Sequence, residues 1–536
     1  MRFQRTLALL GVVLLHHLLG PVVLLVAGGA LLVPRVRAWL RPSRRVVAIG
    51  LAAAVVVTGL VVLVPDGWLP IPPGSGTLVA PSYLGRPARA EPIPMEVPQH
   101  PGLAPNGRSS MHNDAWASDA YAGPGPLGDS PEVDTAWYGL EECATLAFDE
   151  HDRIVALCGD LSGPTLHVLD PESMRPLVTK DLPARSGDTG KRPWEDLCGG
   201  SYFYLDDEDR AVVATTDQRI LVVATDDGAG DPDLTVDASY DLSSAVPDGD
   251  CLIALLPDWE GRIWWVTRDG TVGTVVPGEG DADPVVRTLD LGEEIANSIS
   301  TGADGGVYVV TVEALYKLAA DDRRDVPVVR WRTAYDRGTE QKPGQLSRGS
   351  GTTPTLLPGG LVAITDNADR RMHVVFLRTD DGAEVCRAAV FEEGESATDN
   401  SLVAVGDGVV VENNHGYSGP WSTLLGRTTS AGLARVDVAE GECEVVWTSP
   451  ETAPTSVPKA SLATGLVYAY TKRPSWWGVN AWYLTAIDAR TGRRAFSVRT
   501  GLGAMFNNHY AAVTLGPDGS AYVATMAGMV RVRDRG

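Results

Sequence analysis

From Cys143 to the C-terminus, short apolar runs and polar turns follow one another in a repeated order. The clearest unit is residues 508–525, NHYAAVTLGPDGSAYVAT, where a PDG turn joins two apolar runs and the second run ends in Thr. The units begin at spacings of 46 to 59 residues, which leaves room for four short antiparallel strands each. Their innermost strands are predicted to start at Cys143, Cys198, Cys251, Asn297, Thr352, Asn400, Lys459 and Asn508. Self-similarity at this period predicts a β-propeller.

The fold class predicted is therefore all-β, an eight-bladed β-propeller. The last unit stops after its third strand, so residues 132–139, EVDTAWYG, are predicted to supply the fourth strand. Pairing the two ends of the chain would close the last blade and remove an exposed sheet edge. An open ring, or a seven-bladed ring with one unit miscounted, stays open as the alternative.

One unit carries a resemblance to a known family. Residues 479–501, VNAWYLTAIDARTGRRAFSVRTG, place a D-A-R-T-G turn between two strands. This resembles the PQQ-like propellers of the quinoprotein alcohol dehydrogenase superfamily, in which a strand ends in A-x-D-x-x-T-G. The likeness extends over about residues 132–536. In that family adjacent cysteines cover the bound quinone, and this chain has no Cys-Cys pair, so PQQ is not expected.

The N-terminal residues have a different pattern. Residues 7–33 and 46–64 are almost wholly apolar, and each stretch is long enough to cross a hydrocarbon core as a helix. Together they predict a transmembrane hairpin over residues 1–65. The short loop between them carries five arginines and no acidic residue, which predicts a cytoplasmic loop with both termini outside. The propeller would then lie on the extracytoplasmic side of the cell membrane.

Charge separates the two parts of the chain. Residues 1–65 hold seven arginines and no Asp or Glu, so the chain's total of −23 leaves −30 for residues 66–536. Such an acidic body is not expected to bind nucleic acid, which is recognised by basic surfaces. Residues 66–110 are dense in proline and are predicted to form a semi-extended tether, and residues 111–536 to form the propeller domain.

All six cysteines lie in the acidic part, and their even number predicts three disulfides in an oxidising compartment. Cys143 starts a strand and Cys158 ends its neighbour in the same blade, so these two are predicted to pair. Cys198 and Cys251 start neighbouring inner strands and are predicted to bridge two blades. Cys386 and Cys443 then pair by elimination.

The candidate site residues lie where inner strands begin and second strands end. Both of these strand ends are expected to meet around one mouth of the central channel. Two short sequence motifs recur there: Thr-Asp-Asn at 365–367 and 398–400, and Asn-Asn-His at 413–415 and 507–509. Carboxylate and amide oxygens suit calcium. A weaker likeness, of residues 297–309 to the paraoxonase and gluconolactonase propellers, implies calcium ligands at Asn297, Asp366, Asn367, Asp399, Asn400 and Asn508, with His415 and His509 as catalytic bases. The same residues are also common as structural turn residues.

Further side chains around this mouth are candidates for ligand binding, namely Glu412, Asn413, Asn414, Asn507, Tyr417, Trp476 and Trp477. Two functional hypotheses follow. The first is a module that binds a small molecule or protein, with a structural cation at the channel mouth. The second is a calcium-dependent lactonase or esterase. A hydrolase requires an open metal position with a histidine in reach, whereas a binding scaffold would have a plugged channel.

Overall fold

The protein is described by a computed structural model that covers residues 2–40, 44–139, 141–160, 162–184, 198, 202–278, 283–321 and 323–535. Within these ranges, strands form eight sheets, each of which is one blade of a ring around a central channel. The prediction of an eight-bladed propeller is therefore confirmed.

The N-terminal region is helical. It comprises α1 (Arg2–Leu19), α2 (Val22–Ala30), α3 (Pro34–Leu40) and α4 (Arg44–Val62). The first apolar stretch is broken at Gly20, whose φ of 97° lies outside the helical region and which precedes a proline. Among the described residues, no single helix combines the length and apolarity needed to cross a bilayer, and only α2 and α3 qualify jointly, across a bend of 100°. The predicted hairpin of two spanning helices is not confirmed.

Three strands precede the first complete blade: β1 (Tyr83–Gly85), β2 (Ala120–Tyr121) and β3 (Pro131–Trp137). Blade 1 comprises β4 (Glu142–Phe148), β5 (Ile154–Gly159), β6 (Pro164–Leu169) and β7 (Pro176–Asp181). Blade 2 comprises β8 (Phe203–Leu205), β9 (Ala211–Ala214), β10 (Arg219–Val223) and β11 (Val236–Asp241). Blade 3 comprises β12 (Leu252–Pro257), β13 (Ile263–Thr267), β14 (Thr271–Val276) and β15 (Val285–Asp290).

Blade 4 comprises β16 (Ser300–Thr301), β17 (Val307–Val310), β18 (Ala314–Ala320) and β19 (Pro327–Ala334). Blade 5 comprises β20 (Thr355–Leu357), β21 (Leu361–Thr365), β22 (His373–Arg378) and β23 (Glu384–Ala389). Blade 6 comprises β24 (Val403–Val405), β25 (Gly408–Glu412), β26 (Leu433–Ala439) and β27 (Glu442–Ser449). Blade 7 comprises β28 (Lys459–Ser461), β29 (Leu466–Arg473), β30 (Ala481–Asp488) and β31 (Arg494–Leu502), and blade 8 holds β32 (Val513–Leu515), β33 (Ala521–Thr525) and β34 (Gly528–Asp534).

The pattern of burial explains the strand sequences. Inner and second strands lie between neighbouring blades, so both of their faces are covered and they read as continuous apolar runs. In β13 all five residues, including Trp264 and Trp265, are buried. The outermost strand β15 has only partly buried or exposed residues. The core is thus a series of apolar layers between blades, and the largest cluster spans blades 2 to 4.

Ring closure follows the prediction. β3 pairs antiparallel with β34 along its whole length, from Pro131 opposite Asp534 to Trp137 opposite Gly528. It is the fourth strand of blade 8, so the N-terminal part of the chain completes the C-terminal blade. All six cysteines are described, and they form the three predicted disulfides: Cys143–Cys158, Cys198–Cys251 and Cys386–Cys443.

The proline-rich residues 66–103 form little regular structure but lie against the propeller. β1 pairs with β31 and extends blade 7 by one outer strand. Further on, the Ile93 N–H donates to Leu462 O at 2.8 Å. Proline lacks an N–H group and so limits ladder pairing, yet it does not prevent packing against a sheet. This region therefore follows the outside of blade 7 towards the channel.

Candidate functional site

The central channel is filled by residues 104–121, here called the channel segment. Backbone N–H groups of inner strands donate to its carbonyl oxygens in six blades: Phe148 to Arg108, Leu205 to Ser109, Thr301 to Ala115, Leu356 to Trp116, Ala404 to Ser118 and Ala460 to Asp119, at 2.7 to 3.0 Å. Its end, β2, pairs parallel with the inner strand β28. These contacts satisfy buried backbone donors that would otherwise face an empty channel.

A buried ion pair lies at the centre of the channel segment. The Lys459 ammonium donates to the Asp119 carboxylate, and both side chains are 0% exposed. Ser401 Oγ donates to the same carboxylate, and His112 Nδ1 lies 3.1 Å from Asp119 Oδ1. Burial alone would raise the pKa of Asp119, but Lys459 and His112 outweigh it and hold the pKa below its usual value. Burial also lowers the pKa of Lys459, against the opposing effect of Asp119.

His112 connects this ion pair to the mouth face, which we define as the face on which the inner strands begin. Its Nε2 lies 3.3 Å from Thr353 Oγ1, and its ring stacks on Tyr202 with the centroids 6.1 Å apart. The Tyr202 hydroxyl donates to Asn297 Oδ1 at 2.9 Å. The bonded network therefore extends from the middle of the channel to a predicted site residue.

Four of the six predicted calcium ligands, Asn297, Asp366, Asp399 and Asn508, accept hydrogen bonds from protein groups. Asn297 Oδ1 accepts from Tyr202, Asn508 Oδ1 from Thr455, and Asp399 Oδ2 from the Leu346 N–H. The Asp366 carboxylate lies 2.8 Å from His373 Nδ1, and the Asn367 amide donates to the carbonyls of residues 337 and 340. Calcium requires six to eight oxygens at one point. The donor set does not fit such an ion while these bonds persist, and calcium binding at these residues is untested.

Three of the predicted residues form one cluster at the end of β25. The amides of Asn400 and Asn414 donate to the two oxygens of Glu412, at 2.5 and 2.7 Å. Glu412 is fully buried, and burial raises its pKa well above the usual value, with Asn400 opposing and Asp399 adding to the shift. The cluster connects blades 6 and 7, because Asn400 also donates to the Ser456 carbonyl at 2.8 Å.

A cavity of about 370 Å³ opens at the mouth face. Three loops enclose it: residues 341–346 between blades 4 and 5, residues 417–419 in blade 6, and His509 with Tyr510 at the start of blade 8. The rings of Tyr417 and Tyr510 meet edge to face at 5.5 Å, and His509 lies 5.5 Å from Tyr510. The volume of the cavity is within the usual range for ligand pockets.

His509 is the most unusual residue of this cavity. Its side chain is 9% exposed, its Nδ1 lies 3.3 Å from Glu142 Oε1, and its buried Nε2 has no hydrogen-bond partner among the described residues. His509 and Tyr510 have φ angles of 39° and 68°, a left-handed conformation that costs energy for residues other than glycine. Such strain is concentrated at binding sites, and the unpaired nitrogen can bond a ligand.

The other predicted ligand residues have different environments. Asn507 donates to the Tyr417 hydroxyl at 3.2 Å and so supports the cavity wall, whereas Asn413 binds the Glu395 carbonyl away from it. Trp476 and Trp477 are 93% and 45% exposed and do not line the cavity.

The second predicted base, His415, also lies outside the cavity lining. Its Nδ1 is 3.1 Å from Ser430 Oγ, and burial lowers its pKa against the opposing charge of Glu395.

Comparisons with known proteins find similar sequences and structures but do not assign the chain to a protein family. No protein-family model matches the chain. An uncharacterized protein of Archaeoglobus fulgidus is 30% identical over 322 residues, which cover 54% of this chain and 62% of that protein's length.

Solved structures that resemble this chain include the quinohemoprotein alcohol dehydrogenase ADHIIG of Pseudomonas putida HK5, with 11% identity, a TM-score of 0.49 and 80% of each chain covered. The Pseudomonas enzyme is a quinohemoprotein alcohol dehydrogenase, and residues 479–501 of the present chain resemble the repeat of that class. Chaetomium thermophilum Sqt1, bound to the N-terminus of ribosomal protein L10, has 12% identity and a TM-score of 0.47, over 77% of this chain and 100% of Sqt1. The fold itself rests on the strand pairing of this chain.

Sequence reasoning missed the residues at the centre of the channel. Lys459 was placed at an inner-strand start, where the other units have Cys, Asn or Thr. A lysine at such a position could have indicated a buried ion pair, because a buried lysine requires a partner of opposite charge. Asp119 lies in a segment without strand periodicity, and nothing in its local sequence indicates a partner 340 residues away.

Proposed function

We propose that this protein is a membrane-anchored binding module whose mouth face holds a small-molecule or protein ligand on the extracytoplasmic side. The observation that carries the proposal is the filled channel. The channel segment occupies the middle of the ring, and the mouth cavity with His509, Tyr417 and Tyr510 is a concave site that it leaves free. A rigid propeller with loops around one cavity is suited to recognition rather than to transport through its centre.

The proposed ligand contributes one planar or aromatic group to the cavity. The lining includes Tyr417, Tyr510 and His509, and the buried Nε2 of His509 has no hydrogen-bond partner among the described residues. Aromatic rings favour stacked or edge-on contacts with other rings, and a buried nitrogen without a partner favours a ligand that bonds it. An aromatic side chain of a partner protein or a small heterocycle meets both requirements.

The hydrolase alternative receives less support from this geometry. It requires a metal with an open coordination position beside a histidine. Four of the six candidate ligands accept protein hydrogen bonds, and His415 bonds Ser430 outside the cavity.

Photo-crosslinking tests the binding proposal. A benzoylphenylalanine at Ser418, which is exposed and lines the cavity, is compared with one at Glu260, which is 68% exposed in a hairpin turn on the opposite face. The full chain is irradiated in its native membranes, and adducts are identified by gel shift for proteins and by intact mass for small molecules. We expect a discrete adduct from position 418 that is absent at position 260 and is lost in the His509→Ala variant. Equal labelling at both positions, or none at 418, would overturn the proposal.

The proposed anchoring concerns the helical region, and the contacts of α1 set its direction. The Arg5 guanidinium lies 6.0 Å from the Trp39 ring, while Gly20 at the other end of the helix packs on Val479 of blade 7. In this arrangement α1 begins close to the end of α3. We propose that both of these helix ends, with their arginines, lie on the cytoplasmic side, in accord with the charge bias of membrane proteins.

Cysteine accessibility tests this orientation, since all six native cysteines are in disulfides. A membrane-impermeant maleimide should label Ser418→Cys in intact cells and Arg37→Cys only after permeabilisation. Labelling of Arg37→Cys in intact cells would contradict the orientation.

A further inference from the structure

A group of exposed apolar side chains lies on the mouth-face rim of blades 6 and 7. We call it the rim surface, and it consists of Leu78, Trp421, Leu425, Trp476, Trp477 and Met505, which are 70%, 66%, 66%, 93%, 45% and 38% exposed. Two tryptophans on adjacent loops with most of their surface in solvent are unusual, because tryptophan is highly buried on average. A contiguous exposed apolar patch of this kind marks an interaction site.

The rim surface is held in place by backbone hydrogen bonds. The Ser475 N–H donates to Gly426 O at 2.9 Å, and the Gly426 N–H donates to Asn480 Oδ1 at 2.9 Å. Gly426 has a φ of 77°, and a Cβ there would lie 2.0 Å from Ser475 O, so the two loops meet only because this residue is glycine. The tryptophans are thus presented by fixed loops, and their exposure is built into the fold.

The rim surface is continuous with the helical region. Val22 N–H donates to Trp477 O at 3.3 Å, and the Leu78 N–H donates to Leu18 O at 3.0 Å. Helix α1 ends there and α2 begins there, and both have exposed apolar side chains, with Leu14 58% and Leu25 74% exposed. Backbone hydrogen bonds therefore join the exposed apolar helices α1 and α2 to the propeller loops that carry the rim surface.

Two arginines lie next to the rim surface, although residues 66–536 carry a net charge of −30. Arg427 is exposed and donates to the Trp421 carbonyl at 2.9 Å. Arg473 ends β29 immediately before the tryptophan loop, and its guanidinium lies 3.9 Å from the Glu451 carboxylate. Tryptophan and arginine are the residues that favour the headgroup region of a bilayer, where a ring has an apolar body and a polar edge. Anionic headgroups would be attracted to the arginines and repelled by the rest of the acidic body.

We propose that the rim surface lies in the headgroup region of the membrane that the helices anchor to. This inference rests on the proposed anchoring and goes beyond it, because it fixes the tilt of the propeller. Blades 6 and 7 contact the bilayer at their mouth-face edge, and the mouth cavity, whose wall includes Tyr417 of blade 6, lies close to the membrane surface. A ligand in the same membrane or at its surface is then within reach of the cavity.

Site-specific fluorescence tests this placement. The native thiols are all in disulfides, so a single introduced cysteine is uniquely labelled with an environment-sensitive nitrobenzoxadiazole probe. Three full-length variants are compared: Trp476→Cys in the rim surface, Val55→Cys in α4, and Glu260→Cys on the opposite face. Each is reconstituted in phosphatidylcholine and phosphatidylglycerol vesicles with spin-labelled lipids that quench either at the headgroup or in the middle of the acyl chain. Thermal unfolding of each labelled protein verifies that the fold is retained.

We expect headgroup-level quenching and a blue-shifted emission at position 476, mid-chain quenching at position 55, and neither effect at position 260. Quenching at position 55 with none at position 476 would overturn the rim proposal and leave the anchor in place. Absence of quenching at position 55 would instead overturn the anchoring. Quenching at 476 alone would support the rim contact and show that it acts without a spanning helix.

Discussion

Replacing Lys459 with methionine should destabilise the propeller strongly. The change preserves the length of the side chain but removes the counter-charge of Asp119, and both side chains are 0% exposed. Removing one partner of a buried ion pair typically costs about 3–5 kcal/mol, because the other charge is left uncompensated. For a domain of this size that corresponds to a fall in Tm of about 3–5 °C. Urea unfolding followed by tryptophan fluorescence gives the free energy directly.

Lys472 provides a matched control. It is 1% exposed, donates to the Arg427 carbonyl, and burial lowers its pKa to about 8. Because no carboxylate depends on it in the described part of the chain, Lys472→Met should cost only the roughly 1 kcal/mol of a lost hydrogen bond.

The double variant Asp119→Asn with Lys459→Met removes both charges and should recover most of the stability. Equal losses for Lys459→Met and Lys472→Met, or a double variant no more stable than Lys459→Met, would refute the inference that the charges stabilise each other. The contribution of Asp119 to the free energy of unfolding should decrease as the pH falls. The lowered pKa of Asp119 contributes stability that is present above about pH 4 and is lost as the pH falls through the folded-state pKa.

Three further predictions concern the disulfides, a buried acid and calcium. Replacing Cys386 and Cys443 by alanine should cost about 4 kcal/mol, and replacing Cys143 and Cys158 about 3 kcal/mol, because the first pair closes 57 residues and the second 15; the reverse order in urea unfolding would contradict this. Burial raises the pKa of Asp114 to about 7, so stability should fall as the pH rises from about 4 to about 7, by at most roughly 1.4 kcal/mol per pH unit, and Asp114→Asn should remove this slope. Elemental analysis before and after chelation should find well below one calcium per chain, and one firmly held ion would show that the mouth loops rearrange around it.

The repeating part of the fold could be predicted because each blade carries its own signal. Apolar runs separated by polar turns defined the units, and the missing fourth strand in the last unit identified the closing strand before residue 143. Two of the three disulfides followed from where each cysteine falls in its blade, and the third, Cys386–Cys443, followed by elimination. These predictions depend on local pattern and on a repeated geometry, and both can be read directly from the residues.

The centre of the channel could not be predicted in this way. The channel segment bonds to the blades through its backbone carbonyls, which every sequence possesses, so its residues give no pattern. Its key contact joins Asp119 to Lys459, far apart in the chain. The proline-rich region likewise gave no sign that Tyr83–Gly85 would extend blade 7, since a three-residue strand needs its partner to be recognised.

The closing strand and the channel segment have a consequence for biogenesis. Both come from the N-terminal part of the chain, but their partners are near its C-terminal end. β3 pairs with β34, and Asp119 pairs with Lys459, which is synthesised 340 residues later. During translation the helical region emerges first, and the ring can neither fill its centre before Lys459 is made nor close its last blade before β34 is made. A chain cut short at any blade therefore retains a buried carboxylate without its cation, an unpaired edge strand, or both. The contacts that complete the ring therefore form only in a chain that extends through blade 8.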